Sequence, residues 1–241
     1  MLLNYPEGIQ RETVQKLLPV IEAARKAIDT KTRRSKRNIE LEVRFKKSNS
    51  ESIGLDTWLL FLRALESNSH VFAAKDWEEI IDRSYTIKDQ TIRHSRSRSG
   101  EESIVKERVA FMDIPVKNCN IVHVARIVFS CENGVQSKVE HVVPSLVRMK
   151  LRKSFVYRDM WSVDLTKVWS GANDAEVNAK RDKAFADANR DESSVIADRY
   201  EVEIELVDAD AYFSSESRTD EYIALSFLMK IVGFLPPGAF V

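Results

Sequence analysis

Glutamates alternate with apolar residues in two segments near opposite ends of the sequence. The first segment contains Glu40 and Glu42, and the second contains Glu201, Glu203 and Glu205. The alternation predicts two β-strands, each with a carboxylate face and an apolar face, because successive side chains of a strand point to opposite sides. Carboxylates crowded on one face repel one another unless a cation lies between them. Such oxygen ligands suit Mg²⁺ or Mn²⁺.

A third segment alternates in the same way but carries positive charge, at Arg148, Lys150 and Arg152, and a fourth contains Asp164 and Thr166. If the charged faces meet across an enclosed space, a wall of carboxylates faces a wall of cations, which suits a metal ion bound to a polyphosphate. The alternative is that each strand is half-buried and shows its charged face to solvent, as antiparallel sheets often do. Rows of a single sign favour the enclosed site, because like charges on a solvated face repel.

The composition limits the kinds of partner. The chain has 241 residues, of which 44% are hydrophobic and 31% charged, with 37 basic and 37 acidic residues. A net charge of zero argues against a general nucleic-acid binder that depends on attraction to the phosphate backbone, but not against recognition of one phosphorylated end. Cys119 and Cys131 show neither metal-ligand spacing nor a disulfide pattern, which fits a reducing compartment.

Apolar periodicity predicts helices that flank the strands. Residues 10–28 carry a helical stripe that Pro19 interrupts, so we expect a kink or two short helices there. The polar segment 170–195 is expected to be an exposed helix or a mobile loop inserted between two strands. Further helices are expected over 56–67, 74–81 and 220–232.

The remaining segments favour β-strands joined by short turns. Arg98-Ser99-Gly100 and Asn133-Gly134 are typical of hairpin turns, which implies an antiparallel meander. Strands are expected over 38–47, 84–88, 90–97, 103–111, 121–132, 135–141, 145–155, 160–168 and 198–208.

These elements predict a single α+β domain over 1–241. Its centre is a closed eight-stranded antiparallel β-barrel with a charged interior, a size that fills with side chains or holds one small ligand. Helices cover the apolar outside of this barrel. Residues 1–37 form a helical lead-in, 170–195 an exposed insertion, and 209–241 a C-terminal helix and tail.

The order of these motifs resembles the triphosphate tunnel metalloenzymes, and most closely the metal-dependent RNA 5′-triphosphatases of fungi, protozoa and large DNA viruses. The resemblance covers residues 38–206 and rests on Glu40-x-Glu42-x-x-Phe45 at one end and Glu201-x-Glu203-x-Glu205 at the other. Arg148-x-Lys150-x-Arg152 resembles the basic strand of the family, and Asp164-x-Thr166 the strand that follows it. Arg126 to Glu132 resembles a further strand that ends in a site glutamate.

The resemblance implies a set of roles. Glu40, Glu42, Glu203 and Glu205 would bind Mg²⁺ or Mn²⁺, and Glu132, Glu201 and Glu203 would serve catalysis, with Glu132 or Glu201 orienting the attacking water. Asp164, Thr166 and Phe45 would support the site, and Phe45 is equally consistent with core packing. The expected phosphate-binding residues are Arg93, Lys106, Arg148, Lys150 and Arg152.

Two positions bear on the branch of the family. An arginine usually stands two residues before the aspartate of the Asp-x-Thr strand, where this chain has Ser162; either Arg158 reaches the phosphate instead or the contact is absent. Arg44 replaces a lysine that the tripolyphosphatase branch prefers, which favours the branch acting on RNA ends.

The activity implied is removal of the γ-phosphate from triphosphate-ended RNA, the first step of mRNA cap formation. A tripolyphosphatase or nucleoside triphosphatase of the same fold, and a non-catalytic phosphate-binding barrel, remain open alternatives. The expected partners are the RNA 5′ end and a guanylyltransferase, whose Lys-x-Asp-Gly motif is absent from this sequence. A nuclear location is expected for a cellular protein and a cytoplasmic factory for a viral one. The residues leave monomer and dimer undecided.

Overall fold

The computed structural model describes residues 7–29, 37–47, 50, 52–117, 122–135, 142–213 and 218–234. Helices and strands follow one another along the chain in an α+β order. The helices are α1 (Glu7–Asp29), α2 (Leu55–Ser67), α3 (Asp174–Asp187), α4 (Ala209–Phe213) and α5 (Asp220–Phe234). The strands are β1 (Arg37–Lys47), β2 (Ala73–Ala74), β3 (Glu78–Ile87), β4 (Gln90–Ser97), β5 (Gly100–Lys117), β6 (Val122–Gly134), β7 (Leu146–Tyr157), β8 (Trp161–Gly171) and β9 (Arg199–Leu206).

Eight of these strands close into a barrel, in the order β7-β3-β4-β5-β6-β1-β9-β8, and the pairing of β7 with β8 completes the circle. The strand pairs of this circle are antiparallel, and the two-residue strand β2 adds to the edge of β7. The predicted closed barrel is therefore confirmed. Its first and last acidic strands, β1 and β9, are neighbours, although more than 150 residues separate their glutamates in the sequence.

The apolar faces of the strands point outwards and form the main hydrophobic core with the helices. Leu41, Val43 and Phe45 of β1 are fully buried there, together with Trp58 and Phe61 of α2. Helices α1, α4 and α5 belong to the same core through other fully buried or nearly buried apolar side chains. Burial of this apolar area stabilises the inverted arrangement, in which charged side chains fill the inside of the barrel.

The helix α3 covers a smaller apolar patch on the outside of β7 and β8. Val177 of α3 is buried against Met149, Leu151 and Trp169 of those strands. The predicted exposed helix is present, because most of its other side chains face solvent.

Lys167 of β8 attaches the chain that follows α3 to the barrel. Its fully buried ammonium donates hydrogen bonds to the backbone carbonyls of Glu192, Ser193 and Val195 at 2.8, 2.9 and 2.7 Å. It also lies 4.8 Å from the centre of the Trp58 ring, a cation–π contact with α2.

Several expected element boundaries were wrong. Residues 74–81 form no helix, because Ala73–Ala74 pair with β7 and Glu78 begins β3. The helix α1 continues through Pro19 as one helix. Asn133 and Gly134 make no turn; they continue β6 and pair with Val105 and Ile104. The strand expected over 135–141 lies almost wholly outside the described residues.

Two hairpins have turns that lack the glycine or asparagine by which such turns are usually predicted. Lys88 and Asp89 join β3 to β4 with φ angles of 46° and 64°. The three residues 158–160 join β7 to β8, and the first two of them, Arg158 and Asp159, have φ angles of 52° and 54°. Paired positive φ angles match the right-handed twist of the flanking strands, although glycine or asparagine usually takes these positions. No helix among the described residues is both long enough and apolar enough to cross a membrane.

Candidate active site

The inner faces of the barrel strands enclose a cavity of about 470 Å³ whose lining is almost entirely polar and charged. The carboxylates near its centre are Glu40, Glu42, Asp82, Glu132, Glu203 and Glu205. The cations of the lining are Arg44, Arg93, Lys106, Arg148, Lys150 and Arg152.

Strands β1 and β9 form the acidic wall. Glu42 is the direct cross-strand partner of Glu205, and Arg44 is the partner of Glu203. Burial and the negative charges of Glu203 and Glu40 raise the pKa of Glu42 to about 7. Burial and the charge of Glu40 likewise raise the pKa of Glu205 well above its ordinary value. These carboxylates are thus short of positive charge, although two cations lie beside them.

Lys106 of β5 is the first of these cations. Its ammonium contacts Glu40 and lies 3.4 Å from Glu42 and 3.9 Å from Glu132. Burial lowers the pKa of Lys106, but the charges of Glu42 and Glu40 outweigh burial and raise it. The ammonium therefore lies where three carboxylates converge.

Arg44 is the second cation. Its Nε donates to Oε1 of Glu203 at 2.7 Å, and its Nη2 lies 3.9 Å from Oε2 of Glu42. The charge of Glu203 raises the pKa of Arg44. Burial would raise the pKa of Glu203, but Arg44 and Arg152 hold it far below its ordinary value. Glu203 is therefore firmly ionised, unlike Glu42.

Strand β7 forms the basic wall, and each of its three cations is held by a carboxylate. Lys150 Nζ lies 2.6 Å and Arg148 Nη2 3.3 Å from Oδ2 of Asp82. Arg152 Nη1 lies 3.1 Å from Oδ2 of Asp164, and its Nη2 lies 3.7 Å from Glu203. These ion pairs fix the direction of the basic side chains before any ligand binds.

Three arginines of the cavity retain a buried donor without an acceptor among the described residues. The Nε atoms of Arg93, Arg148 and Arg152 are buried and make no hydrogen bond there. An unsatisfied buried donor costs about 1–3 kcal/mol, so such groups rarely occur without a reason. A phosphate group in the cavity would give each of them an oxygen acceptor.

The structure brings together most of the residues that the sequence singled out. Glu132 lines the cavity and lies 3.1 Å from Arg93, and burial raises its pKa. Glu201 and Thr166 are cross-strand partners, buried in the barrel but not in the lining of the cavity. Asp164 contacts the site through Arg152.

Phe45 is not a site residue. Its side chain is fully buried in the outer core, where its ring centre lies 5.5 Å from that of Phe61. The reason is the strand period, which places Phe45 on the face opposite Glu40 and Glu42. Its role is packing, the alternative that the sequence left open.

Ser162 and Arg158 give no additional cation to the cavity. The hydroxyl of Ser162 donates to Oδ1 of Asp164 at 2.6 Å, so it orients the carboxylate that holds Arg152. Arg158 lies in the exposed β7–β8 turn with its guanidinium 5.2 Å from the ring centre of Tyr157. The cavity instead contains Arg44, which reaches Glu203 from β1.

Sequence reasoning missed Asp82 as a site residue, and it used Arg44 only to judge the branch of the family, without placing it in the site. Asp82 was passed over because the segment before it was assigned to a helix, although Ile80, Asp82 and Ser84 alternate as a strand requires. Arg44 continues the alternation of Glu40 and Glu42 and could have been found from that pattern alone.

The site suits a divalent metal ion in chemistry but not in the arrangement of its side chains. Among the described residues, no three Asp, Glu, His or Cys side chains stand close enough to hold a metal ion. The donors are nevertheless hard carboxylate oxygens, and the raised pKa of Glu42 shows a deficit of positive charge around it. The ammonium of Lys106 already lies among these carboxylates, so a metal ion can bind there only if the ammonium moves.

Comparison with solved structures shows the fold of the chain. The S. pombe Pct1 RNA triphosphatase matches with a TM-score of 0.64 at 16% identity, over 93% of this chain and 92% of that one. The same enzyme in complex with the Spt5 CTD matches with a TM-score of 0.62 at 17% identity, over 93% of each chain. The Mimivirus capping enzyme triphosphatase matches with a TM-score of 0.55 at 15% identity, over 92% of this chain and 98% of that one.

The chain therefore has the tunnel fold of these RNA triphosphatases, and the resemblance to the triphosphate tunnel metalloenzymes is confirmed at the level of the fold. No protein-family profile matches the sequence. No curated protein matches it either.

Proposed function

We propose that this protein is a divalent-metal-dependent RNA 5′-triphosphatase, which removes the γ-phosphate of triphosphate-ended RNA as the first step of mRNA cap formation. The observation that carries the proposal is the set of buried Nε donors of Arg93, Arg148 and Arg152, which face a carboxylate wall across one cavity. Cations alone would suit any anion. Cations opposite crowded carboxylates that are short of positive charge suit an anion that arrives with a metal ion.

The basic wall binds and orients the triphosphate. Arg148, Lys150 and Arg152 donate to phosphate oxygens while Asp82 and Asp164 hold them in place. Lys106 exchanges its carboxylate partners for the phosphate. Glu40, Glu42, Glu203 and Glu205 are the residues that would hold a metal ion, which would supply positive charge beside the bound triphosphate. Catalysis of this kind consists mainly of positioning and charge stabilisation.

Glu132 is the residue that we assign to the attacking water, since it lines the cavity and Glu201 does not. Burial and the charge of Glu40 raise the pKa of Glu132, which makes it a better proton acceptor than an exposed glutamate. The water oxygen forms a bond to the γ-phosphorus and the bond to the β,γ-bridging oxygen breaks. The proton of the water passes to Glu132, and the products are diphosphate-ended RNA and inorganic phosphate.

The proposal is tested by phosphate release from γ-labelled triphosphate-RNA with Mg²⁺ or Mn²⁺. We expect metal-dependent release by the native chain and a loss of at least a hundredfold in Glu203→Gln, since each ion pair of Arg44 and Arg152 with Glu203 is broken. A thermal melt shows whether the variant folds, and the exposed Glu12→Gln on α1 is the matched control. Full activity of Glu203→Gln would contradict the assignment.

Hydrolysis of inorganic tripolyphosphate is a second candidate, favoured by one specific observation. The residues around the cavity centre are ionic, and none of the aromatic side chains that the structure describes lines it. Such a cavity contacts only the phosphates, so it does not by itself prefer triphosphate-ended RNA over inorganic tripolyphosphate. Turnover of RNA ends far slower than turnover of tripolyphosphate or ATP would favour this candidate.

The place of the reaction in cap formation suggests the partner. A diphosphate end is the substrate of a guanylyltransferase, and the Mimivirus relative is a triphosphatase of a capping enzyme. We therefore propose a guanylyltransferase, as a separate or a fused chain, as the functional partner, in the nucleus of a cell or in a viral factory.

A further inference from the structure

The hairpin of β5 and β6 carries an exposed aromatic ring close to the acidic wall. Phe111 of β5 is 53% exposed, and it is the only exposed phenylalanine among the described residues. It pairs with Val128 of β6, which pairs in turn with Glu42 of β1. Direct partners lie on the same face of a sheet, so Phe111 lies on the inner face together with Glu42.

A β-bulge directs this ring to the inner face. The register between β5 and β6 shifts between Arg108 and Ala110. After the shift, Ala110 and Met112 pack against the outer core, and Phe111 faces the opposite way. Without the extra residue, Phe111 would lie on the core side, where a phenylalanine is normally stable. Bulges that redirect a side chain in this way are common next to active sites.

Two guanidinium groups lie near the ring of Phe111. The Cζ atoms of Arg108 and Arg126 lie 5.6 and 5.3 Å from its centre. Asp113 holds Arg126 through two hydrogen bonds of 2.7 Å, so this cation is fixed in place. Arg108 is exposed on the same hairpin. An aromatic ring between arginines is the combination that binds a nucleobase and its phosphate.

The position of the ring suits a molecule that already occupies the cavity. Two strand spacings separate Phe111 from Glu42, which is about 10 Å. A 5′-terminal nucleoside whose triphosphate lies in the cavity extends over a comparable distance.

The opposite end of the barrel is unsuitable for RNA. There, at the β4–β5 turn, the cavity is lined by Glu78, Glu101 and Glu102. These carboxylates repel a polyanion, whereas Arg108 and Arg126 attract one. Arg96 offsets only Glu101 at the β4–β5 turn, at 3.1 Å, so the end with Phe111 suits RNA better.

We propose that Phe111, Arg108 and Arg126 form a platform for the first nucleotide of triphosphate-ended RNA, with the base stacked on Phe111 and the RNA backbone bound by the arginines. The proposal rests on the proposed function and adds what the ionic cavity lacks, a group that distinguishes RNA from inorganic tripolyphosphate. Phe111 is a specificity-determining residue and takes no part in the chemical step.

The test compares two substrates in three variants. For Phe111→Ala we expect the KM for triphosphate-RNA to rise about tenfold or more, because base stacking on an aromatic side chain has this effect. Turnover of tripolyphosphate should stay within twofold of the native value. Phe111→Trp should keep the native KM for RNA, and Tyr222→Ala on α5, an equally exposed aromatic, is the matched control.

A binding measurement makes the outcome independent of activity. Triphosphate-RNA with 2-aminopurine as its first base is titrated with protein in EDTA, and stacking on Phe111 should quench its fluorescence in the native chain but not in Phe111→Ala. If the native chain and Phe111→Ala quenched the fluorescence equally and had the same KM for RNA, the platform proposal would be overturned while the triphosphatase assignment stayed intact. An equal loss with tripolyphosphate would also overturn it, since Phe111 would then be structural. Native quenching without any RNA hydrolysis would support the platform and reject the proposed function.

Discussion

At the scale of single residues, the site is an interlocked set of ion pairs in which each phosphate-binding cation has a carboxylate holder. Asp82 holds Lys150 and Arg148, Asp164 holds Arg152, and Glu203 holds Arg44. Buried ion pairs of this kind contribute little net stability, because desolvation offsets the attraction. What they contribute is a fixed direction for each donor, which is what binding a polyphosphate requires.

Asp82→Asn tests this role of a carboxylate holder. Burial alone would raise the pKa of Asp82, but the charge of Lys150, together with its hydrogen bonds to Lys150 and Ser95, outweighs burial and lowers it from 3.8 to about 2. A lowered carboxylate pKa contributes stability above the unfolded value, which is lost as pH falls through the folded value. At pH 7 we expect Asp82→Asn to lose about 2 kcal/mol of unfolding free energy and to bind triphosphate more weakly.

Urea denaturation at pH 7, 4 and 3 measures the effect. The deficit of Asp82→Asn against the native chain should shrink as pH falls below 4, because Asp82 of the unfolded chain then binds a proton while the folded carboxyl, with a pKa of about 2, stays ionised. The exposed Asp187→Asn on α3 is the control. A deficit that does not change with pH would show that the charge of Asp82 is not what stabilises the pair.

At the scale of elements, the strands supply the site and the helices only cover them. Fully buried side chains of α2 and β1, such as Phe61 against Phe45, stabilise the outward apolar faces. The connection after α3 differs, since polar side chains attach it to β8: Lys167 donates three hydrogen bonds to its carbonyls, and Nε1 of Trp169 donates one to Ile196 at 3.2 Å.

Lys167→Met should therefore destabilise the protein by about 3 kcal/mol, because three backbone carbonyls lose their donor. Burial lowers the pKa of Lys167 from 10.5 to about 8. The folded state then binds fewer protons than the unfolded state above pH 8, so the stability of the native chain relative to Lys167→Met should rise from pH 8 towards pH 10.

Thermal unfolding of both proteins between pH 7 and pH 10 measures this difference, with Lys183→Met on the exposed face of α3 as the control. If Lys167→Met were as stable as the native chain, the hydrogen bonds to the three carbonyls would contribute nothing to stability.

At the scale of the whole molecule, closure of the barrel brings opposite charges to face each other across one space. A ligand that carries both signs, a metal ion with a polyphosphate, relieves repulsion within both walls at once. The two parts should therefore bind cooperatively.

Thermal shift with Mn²⁺ and tripolyphosphate tests this cooperativity. At a hundredfold excess over Kd we expect both together to raise the Tm by about 5 °C or more, and by more than the sum of each alone. An equal shift with tripolyphosphate in EDTA would favour a phosphate-binding barrel without catalysis.

The sequence by itself determined the charged faces, because the period of a strand translates alternation directly into sides of a sheet. Glu40, Glu42 and Glu203, and the basic residues of β7, were identified in this way, and the antiparallel barrel was predicted from the number of strands and the short turns between them. The same period places Phe45 on the face opposite the glutamates, but the sequence left packing and a supporting role in the site equally open.

Only the tertiary structure decided how the walls meet. Arg44 opposite Glu203, and Asp82 beside Lys150, are contacts between strands distant in sequence, and their registers depend on closure of the barrel. The same holds for Phe111, whose exposure results from one extra residue in β5. A bulge shifts the alternation of a strand by one residue, and the position of this shift is seen only in the pairing of β5 with β6 and of β6 with β1.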